Sequence, residues 1–183
     1  MSRAKGSETP LASAADLGKG ACRTLEKRLT RTTLIVLAAG GSFALLAGAY
    51  LFQALGYPPC ALCWYQRYPH FAAVAIGALA LAVRGPFLPI LGSIAASATA
   101  ILGAYHTGVE RGWWQGPTHC TGGALGGLSG GDLLSVEGPR IVMCDQVAWE
   151  LLGLSMASWN AVFSVLLMIV WIVAARRSAT RAA

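Results

Sequence analysis

The chain has 183 residues, of which 55% are hydrophobic and 12% are charged, and its formal net charge is +6. Soluble domains usually carry about 25% charged residues, so this composition excludes an ordinary soluble domain and indicates a chain that resides in lipid. The positive charge requires no nucleic-acid partner, because basic tails are typical of the cytoplasmic ends of membrane helices and of contacts with anionic lipids. We therefore expect the lipid bilayer, and no nucleic acid, as a partner.

The chain begins with a polar, basic tail over residues 1–32, which we expect to be disordered and cytoplasmic. The apolar run that follows, Thr33 to Leu55, is uncharged and long enough to cross the bilayer as a helix, which takes roughly 20 residues. A cleaved signal peptide is the alternative interpretation. Its apolar region is usually about 7 to 15 residues, however, and it does not follow so long a tail, so we favour a retained span.

Three further apolar runs predict membrane helices. They are Tyr68 to Val83, which is short and needs its flanking residues, Phe87 to Thr107, and Trp159 to Ala175, which can extend backward over Leu151 to Met156. Together the runs predict an all-α fold, a polytopic membrane four-helix bundle over residues 33–175, followed by a basic tail over residues 176–183. Lys and Arg concentrate in both tails and at Arg84 between the second and third spans, so we expect both termini in the cytoplasm.

This topology sorts the five cysteines by compartment. Cys22 lies in the N-terminal tail, where thiols stay reduced, and we expect it to take no part in the chemistry. The two outer loops, residues 56–66 and 109–156, hold the other cysteines as two pairs, Cys60 with Cys63 and Cys120 with Cys144. All four are therefore predicted to lie in an oxidising compartment.

Two structural disulfides are one interpretation of these pairs. A helical membrane bundle is stabilised by packing and by hydrogen bonds within its helices, and a Cys-x-x-Cys loop is too small to constrain the unfolded chain much. This interpretation therefore accounts for Cys120 and Cys144 better than for Cys60 and Cys63. A zinc site fits less well, because Cys120 and Cys144 do not form a second close-spaced pair, and we assign no metal.

A reactive thiol pair is predicted in the segment YPPCALCWYQR, residues 57–67. Its two prolines cannot continue a helix, so we expect the second span to begin at or just after Cys60. The unpaired N–H groups and the dipole of a helix N-terminus favour an anion, which lowers a thiol pKa and increases the reactive thiolate. Arg67 lies one helical turn beyond Cys63 on the same face, and its charge acts in the same direction.

Arg67 is also the predicted ligand of a quinone. An arginine just inside the membrane boundary is costly, which favours a functional role, although snorkelling of the side chain to the headgroups is an alternative. A guanidinium can hydrogen-bond a carbonyl oxygen of an aromatic acceptor and stabilise the negative charge that develops during reduction. A quinone is the membrane-soluble candidate, and His106 is a second candidate donor to it. A haem between His70 and His106 is a further alternative, but polar residues near the headgroups are the simpler interpretation.

The long outer loop contains the run TGGALGGLSGGD, with six glycines from Gly122 to Gly131. A flexible connection of about 23 residues has a typical end-to-end distance of roughly 25 Å, so Cys120 and Cys144 can meet or separate. This length suits a shuttle that accepts electrons from a soluble partner and delivers them to the Cys-x-x-Cys pair. A slack loop closed by one disulfide is the alternative.

Two other patterns concern structure alone. After Cys144, apolar residues at helical spacing predict a short amphipathic helix in the interface or an early start of the fourth span, namely Val147, Leu151 and Leu154. Small residues recur every four positions in two spans and predict faces where helices approach closely, namely Gly40, Ala44 and Gly48, and Gly92, Ala96 and Ala100.

Together these features resemble the DsbB family of disulfide bond formation proteins. The resemblance covers Leu34 to Ala175 and depends on the four spans, on PCALCWYQR opening the second span, on the cysteine pair in the second outer loop, and on CDQVAWELLGLSMASWNA leading into the fourth span. It implies a bacterial inner-membrane enzyme with its thiols on the periplasmic side, which reoxidises a DsbA-like protein and reduces ubiquinone or menaquinone from the membrane pool. The second outer loop departs from the best-known members because it is shorter and rich in glycine.

The resemblance also implies a role for each catalytic cysteine. Cys120 would form the mixed disulfide with the soluble oxidase, Cys144 would resolve it by way of Cys60, and Cys63 beside Arg67 would contact the quinone. A dedicated oxidase for one substrate, or an enzyme like vitamin K epoxide reductase, is an alternative with the same use of a quinone and a Cys-x-x-Cys pair. A non-catalytic membrane scaffold with structural disulfides is the third class, in which cysteine substitution changes stability alone.

Overall fold

The computed structural model describes residues 30–118, 120–121 and 142–180. Within these ranges the chain forms four long helices and one short hairpin, in the order α1 (Arg31–Ala54), α2 (Ala61–Ala82), α3 (Phe87–Glu110), β1 (Glu150–Leu151), β2 (Leu154–Ser155) and α4 (Met156–Ala179). The predicted all-α membrane four-helix bundle is confirmed. Cys22 and the glycines from Gly122 to Gly131 lie outside the described residues.

Three of these helices, α1, α3 and α4, are long and apolar enough to cross a membrane, with mean hydropathies of 2.0, 1.8 and 2.0. Helix α2 has 22 residues against 24 in each of the others. It is less apolar because its first three turns contain the buried polar residues Gln66, Arg67 and His70. Each helix is about 33 Å or longer at about 1.5 Å per residue, which matches the thickness of a hydrocarbon core.

Side chains cap the first turns of α2 and α4. Helix α2 begins at Ala61, because Cys60 Sγ accepts a hydrogen bond from the Cys63 N–H at 3.3 Å and so caps the first turn. The predicted start at or just after Cys60 is confirmed, and residues 61–66 of the expected outer loop are helical. Helix α4 begins at Met156, where Ser155 Oγ accepts a hydrogen bond from the Ser158 N–H at 3.2 Å.

A hairpin lies between Cys144 and α4, where the sequence predicted a short amphipathic helix. That prediction is wrong. Glu150 pairs with Ser155 and Leu151 with Leu154. Leu152 and Gly153 have φ values of 54° and 74°, the two positive values that a tight hairpin turn requires and that a helix forbids. The tight turn therefore prevents a helix here, although a few apolar residues recur at helical spacing. The fourth span does not extend backward over Leu151.

The helices form a ring in which each packs against the next and α4 returns to α1. At one end of this ring, Trp171 is fully buried among apolar residues of the other helices, which include Leu34, Ile35, Ala38, Ala80 and Ala96. We call this the tryptophan end. A Cβ on Gly92 would lie 2.6 Å from the Trp171 ring, so the predicted small-residue face of α3 is a packing face.

The predicted small-residue face of α1 does not pack within the described bundle. Gly40 and Ala44 are exposed, and a Cβ on Gly40 or Gly48 would meet nothing within 4 Å. The buried face of α1 instead contains Leu34, Ile35, Ala38, Ser42 and Leu46. The prediction was wrong for α1, because a different face of the same helix, which carries Leu34, Ile35 and Leu46, is the one buried in the core.

Candidate active site

Both cysteine pairs meet at the end of the bundle opposite Trp171, where α2 begins. Cys60, Cys120 and Cys144 belong to one buried cluster, and Cys63 packs against it. Cys120 and Cys144 form a disulfide with 5.3 Å between their Cα atoms, whereas Cys60 and Cys63 are free thiols. The four predicted catalytic cysteines are thus adjacent, as one oxidised and one reduced pair. We call this region the thiol end.

Cys60 is the more deeply buried of the two free thiols. Its Sγ donates a hydrogen bond to Cys63 Sγ at 3.0 Å. This hydrogen bond and burial both raise the pKa of the Cys60 thiol. The helix N-terminus was expected to lower the pKa of this thiol, so the direction for Cys60 is the reverse of the expected one. Losing the proton would break a hydrogen bond and create a buried charge.

His106 on α3 lies against Cys60. Its Nε2 is 3.6 Å from Cys60 Sγ and 3.9 Å from Glu110 Oε1. Its Nδ1 is 2.8 Å from Gln66 Nε2, an amide nitrogen that can only donate. The neutral ring therefore carries its proton on Nε2, the nitrogen that faces the thiol.

Cys60, Cys63 and His106 are the strongest candidate for metal binding in the described part of the chain. The Sγ atoms of Cys60 and Cys63 and a ring nitrogen of His106 lie within 4.8 Å of one another. Two thiolates and an imidazole suit a thiophilic cation, and only the reduced pair can offer them. The geometry does not favour the haem alternative, because both nitrogens of His106 and the Nε2 of His70 already face protein groups.

Arg67 is held inside the bundle and does not snorkel outward. The residue is 6% exposed, and its guanidinium donates to Gln53 Oε1 at 2.9 Å and to the Ala49 carbonyl at 3.3 Å. The Arg67 Cζ also lies 4.6 Å from the Tyr50 ring centroid and 4.7 Å from that of Trp64. These contacts, most of them with α1, lower the cost of burying the charge.

A cavity of about 220 Å³ opens beside the thiols. Its polar lining includes Cys60, Cys63, Gln66, Arg67, His70, His106, Glu110 and Asn160. Its apolar lining includes Leu45, Leu46, Phe52, Trp149 and Met156, and the rings of Phe52 and Trp149 lie 5.0 Å apart. The predicted site residues Cys63, Arg67 and His106 therefore face one mostly apolar pocket.

A buried polar network behind this cavity was missed by the sequence analysis. Asn160 Nδ2 donates to Gln66 Oε1 at 2.8 Å and to Thr99 Oγ1 at 3.1 Å. His70 Nε2 lies 2.9 Å from Asn160 Oδ1 and 3.1 Å from Thr99 Oγ1. Through Gln66, this network connects His70 to His106 and the thiols. Gln66 and His70 at a spacing of four residues, with Asn160 in an apolar span, were the signal that could have found it.

A family comparison decides what class of protein carries this site. The family model for disulfide bond formation protein DsbB matches residues 31–174. The chain belongs to the DsbB family. The matched range contains all four helices up to residue 174, both cysteine pairs and Arg67, so the resemblance expected from PCALCWYQR is confirmed.

Two relatives are similar to this chain over most of its length. Disulfide bond formation protein B of Aromatoleum aromaticum is 34% identical over 137 residues, which cover 67% of this chain and 81% of the relative. An uncharacterized protein of Rickettsia prowazekii is 31% identical over 138 residues, which cover 70% of this chain and 78% of the relative. No solved structure matches the chain.

Membership of the DsbB family makes the chain a membrane oxidoreductase of disulfide bond formation. Two adjacent cysteine pairs in different redox states are the arrangement that thiol–disulfide exchange requires. Family membership therefore favours the enzyme over the scaffold alternative.

Proposed function

We propose that the chain reoxidises a periplasmic DsbA-like protein and passes the electrons through Cys120/Cys144 and then Cys60/Cys63 to a quinone. The supporting observation is that both cysteine pairs and the cavity are in contact with one another. The loop disulfide packs in one cluster with Cys60, and Cys60 and Cys63 line a cavity together with Arg67. The loop pair and the cavity are therefore connected through one buried cluster that contains both cysteine pairs.

The first exchange takes place at the loop pair. A thiolate of the reduced partner attacks Cys120 Sγ, the bond between Cys120 and Cys144 breaks, and a mixed disulfide forms. The second partner thiol then displaces Cys120, so that the partner leaves with a disulfide and the loop pair keeps two electrons and two protons as thiols. The family resemblance favours an order in which the released Cys144 attacks Cys60 while the partner is still joined to Cys120, and the partner's second thiol then displaces Cys120.

The second exchange moves the electrons to the membrane surface. Cys144 as a thiolate attacks the Cys60–Cys63 disulfide at Cys60, and Cys120 displaces Cys60 to restore the loop disulfide. The products are an oxidised loop pair and two thiols at Cys60 and Cys63, which is the distribution of bonds in the structure.

The cavity residues fit an aromatic acceptor with two carbonyl groups. Phe52, Trp149 and Leu46 offer apolar contact, and Arg67 is a charged donor inside the same pocket. The guanidinium has five N–H donors and uses two of its nitrogens for Gln53 and Ala49, so further donors are available for a carbonyl oxygen. A bound quinone, either ubiquinone or menaquinone, would supply a two-electron, two-proton acceptor.

The residues around the thiols have separable tasks in the last step. Cys63 Sγ accepts the hydrogen bond from Cys60, so Cys63 is the thiol better placed to react first. Cys60 keeps its proton until the disulfide closes. His106 Nε2, which carries a proton, lies 3.6 Å from the Cys60 Sγ and faces that sulfur as a donor. Arg67 stabilises negative charge on the acceptor's oxygen. The Cys60–Cys63 bond then reforms, and two electrons and two protons leave the pair.

The energetics require a strong final oxidant. DsbA has a reduction potential near −120 mV, so an acceptor at about −200 mV would be uphill by about 80 mV, or roughly 3.7 kcal/mol for two electrons. A soluble dithiol acceptor of that kind would therefore stall the relay. A membrane quinone is the acceptor class that fits both the energetics and the apolar cavity.

The distribution of basic residues supports an orientation with the thiols outside the cytoplasm. Arg31, at the start of α1, donates to Ser178 Oγ of α4 and to the Val83 carbonyl after α2, each at 2.9 Å. This basic end, which also carries Arg176 and Arg177, lies opposite the cysteines. Because cytoplasmic flanks collect Lys and Arg, we assign this end and both termini to the cytoplasm and the thiols to the periplasmic side of an inner membrane.

The test is turnover of the full chain purified in detergent. Reduced DsbA-like protein is added with a short-chain ubiquinone or menaquinone, and loss of quinone absorbance is followed together with oxidation of the partner's thiols. We expect one quinone to be reduced for each partner disulfide formed. Partner oxidation without quinone consumption would favour a different acceptor, and no reaction with any quinone would refute the proposal.

A further inference from the structure

Among the polar residues that line the cavity, His70 on α2 has a ring nitrogen without a hydrogen-bond partner. Within the described ranges, four buried side-chain polar atoms have no hydrogen-bond partner, and they are Ser42 Oγ, His70 Nδ1, Ser164 Oγ and Trp171 Nε1. Of these four residues, His70 is the one that lines the cavity. A serine hydroxyl can rotate toward a carbonyl of its own helix, whereas the His70 ring is held in place through its other nitrogen.

The network behind the cavity determines which nitrogen of His70 carries the proton. Gln66 uses its amide nitrogen on His106, so its Oε1 accepts from Asn160 Nδ2. Asn160 must then present Oδ1, which can only accept, to His70 Nε2 at 2.9 Å. The proton of neutral His70 therefore lies on Nε2, and the unpartnered Nδ1 is an acceptor.

We propose that His70 Nδ1 accepts a hydrogen bond from a hydroxyl group of a hydroquinone, and that the cavity therefore binds the reduced form of its acceptor more tightly than the oxidised form. The inference rests on the proposed function, because it takes this cavity as the quinone site. A quinone carbonyl has no proton to donate and leaves Nδ1 unsatisfied, whereas a hydroquinone hydroxyl satisfies it. Arg67 offers donors alone, so it can serve the oxygens of either form.

This preference would assist electron transfer out of Cys60 and Cys63. A site that binds the reduced form tenfold more tightly raises the reduction potential of the bound acceptor by about 30 mV for two electrons. His70 would therefore make the last step more favourable without touching either thiol. The product would be released more slowly in return, since the same hydrogen bond must break.

Binding can be measured without turnover in a protein whose reactive pair is removed by Cys60→Ser and Cys63→Ser. Titration calorimetry in detergent then compares a ubiquinone carrying one isoprenyl unit with its hydroquinone. With His70 intact, we expect the hydroquinone to bind about tenfold more tightly, the factor that one buried hydrogen bond of about 1.4 kcal/mol provides. His70→Leu should remove this difference and change the affinity for the quinone by less than about twofold.

Ser164→Ala is the matched control, because it removes another unpartnered buried polar atom that does not belong to the cavity lining. It should alter the affinity for neither ligand. Equal weakening of both ligands by His70→Leu, or no change in hydroquinone affinity, would overturn the inference and leave the proposed function standing. Failure of both forms to bind with His70 intact would overturn the quinone proposal as well.

A second measurement does not depend on the folding of His70→Leu. Histidine is labelled with the heavy nitrogen isotope in the Cys60→Ser, Cys63→Ser protein, and the ring nitrogens are followed by nuclear magnetic resonance. The His70 resonances should show a proton on Nε2 alone, and Nδ1 should shift when the hydroquinone is added but not when the quinone is added. A proton on Nδ1, or the same shift with both ligands, would contradict the proposal.

Discussion

The thiol end and the tryptophan end of the bundle are formed by the same four helices, yet they bury opposite kinds of side chain. At the tryptophan end, Trp171 is enclosed by aliphatic residues and alanine, and Gly92 admits its ring. At the thiol end, Gln66, Arg67, His70 and His106 are buried beside a cavity. Buried polar groups and empty space both cost stability. Close packing at the tryptophan end offsets this cost and so allows the thiol end to hold reactive groups.

The largest expected effect is the loss of activity when either member of the thiol pair is replaced. Cys60→Ser and Cys63→Ser should each reduce quinone reduction by a reduced partner to the background rate, because neither can reform the disulfide. Thermal unfolding should change little, since these two thiols are not crosslinked. Cys22→Ser is the control and should be silent. Wild-type turnover in either serine variant would refute the role given to the pair.

A substitution at the tryptophan end should lower the stability of the protein and leave its activity unchanged. Gly92→Ala places a Cβ 2.6 Å from the Trp171 ring, and such overpacking typically costs about 1–3 kcal/mol. Denaturation in detergent, followed by circular dichroism, measures the change. Gly40→Ala is the matched control, because a Cβ there meets nothing within 4 Å. The folded fraction of Gly92→Ala should keep its Michaelis constant for quinone, and equal stability of the two variants would contradict the packing described for α3.

Arg67→Ala should chiefly weaken the use of quinone. A hydrogen bond to a charged group contributes about 1.5–3 kcal/mol, so the Michaelis constant for quinone should rise roughly 10- to 100-fold. Exchange between the partner and the loop disulfide should keep its rate, because it takes place at Cys120 and Cys144. Steady-state kinetics with each substrate varied in turn separates the two effects. A rise confined to the Michaelis constant of the partner would place Arg67 outside the acceptor site.

The smallest expected effect is a difference between the two free thiols in alkylation. The raised pKa of Cys60 means that its thiolate forms only at higher pH, so reduced protein at neutral pH should be alkylated at Cys63 first. The difference should narrow as the pH rises. Mass spectrometry of peptides after brief treatment with iodoacetamide measures it. Preferential labelling of Cys60 at neutral pH would reverse the order proposed for the pair.

The sequence predicted the features that depend on neighbouring residues or on long apolar runs. The four helices, the start of α2 just after Cys60 and the grouping of the cysteines into two pairs follow from spans, prolines and spacing. Local patterns were weaker where a single residue decides the outcome. Leu152 and Gly153 adopt positive φ values and form the turn of a hairpin, where the apolar spacing indicated a helix.

The buried network could not be predicted, because its members come from three helices whose relative rotation no local pattern specifies. Gln66 and His70 lie on α2, Thr99 on α3 and Asn160 on α4. Each is an isolated polar residue in an apolar run, and their hydrogen bonds appear only when the helices are packed. The same reason explains why the aromatic rings and the amide that hold Arg67 were missed.

The disulfide between Cys120 and Cys144 brings the two ends of the intervening segment to within 5.3 Å. A segment closed at its base can change in length without displacing the residues that close it, and each doubling of a flexible loop costs only about 0.6 kcal/mol in closure entropy. The stretch between these cysteines is therefore suited to protein engineering. A tag or a substitute docking sequence could be inserted there, so that the enzyme is directed to a new client while its redox centre stays intact.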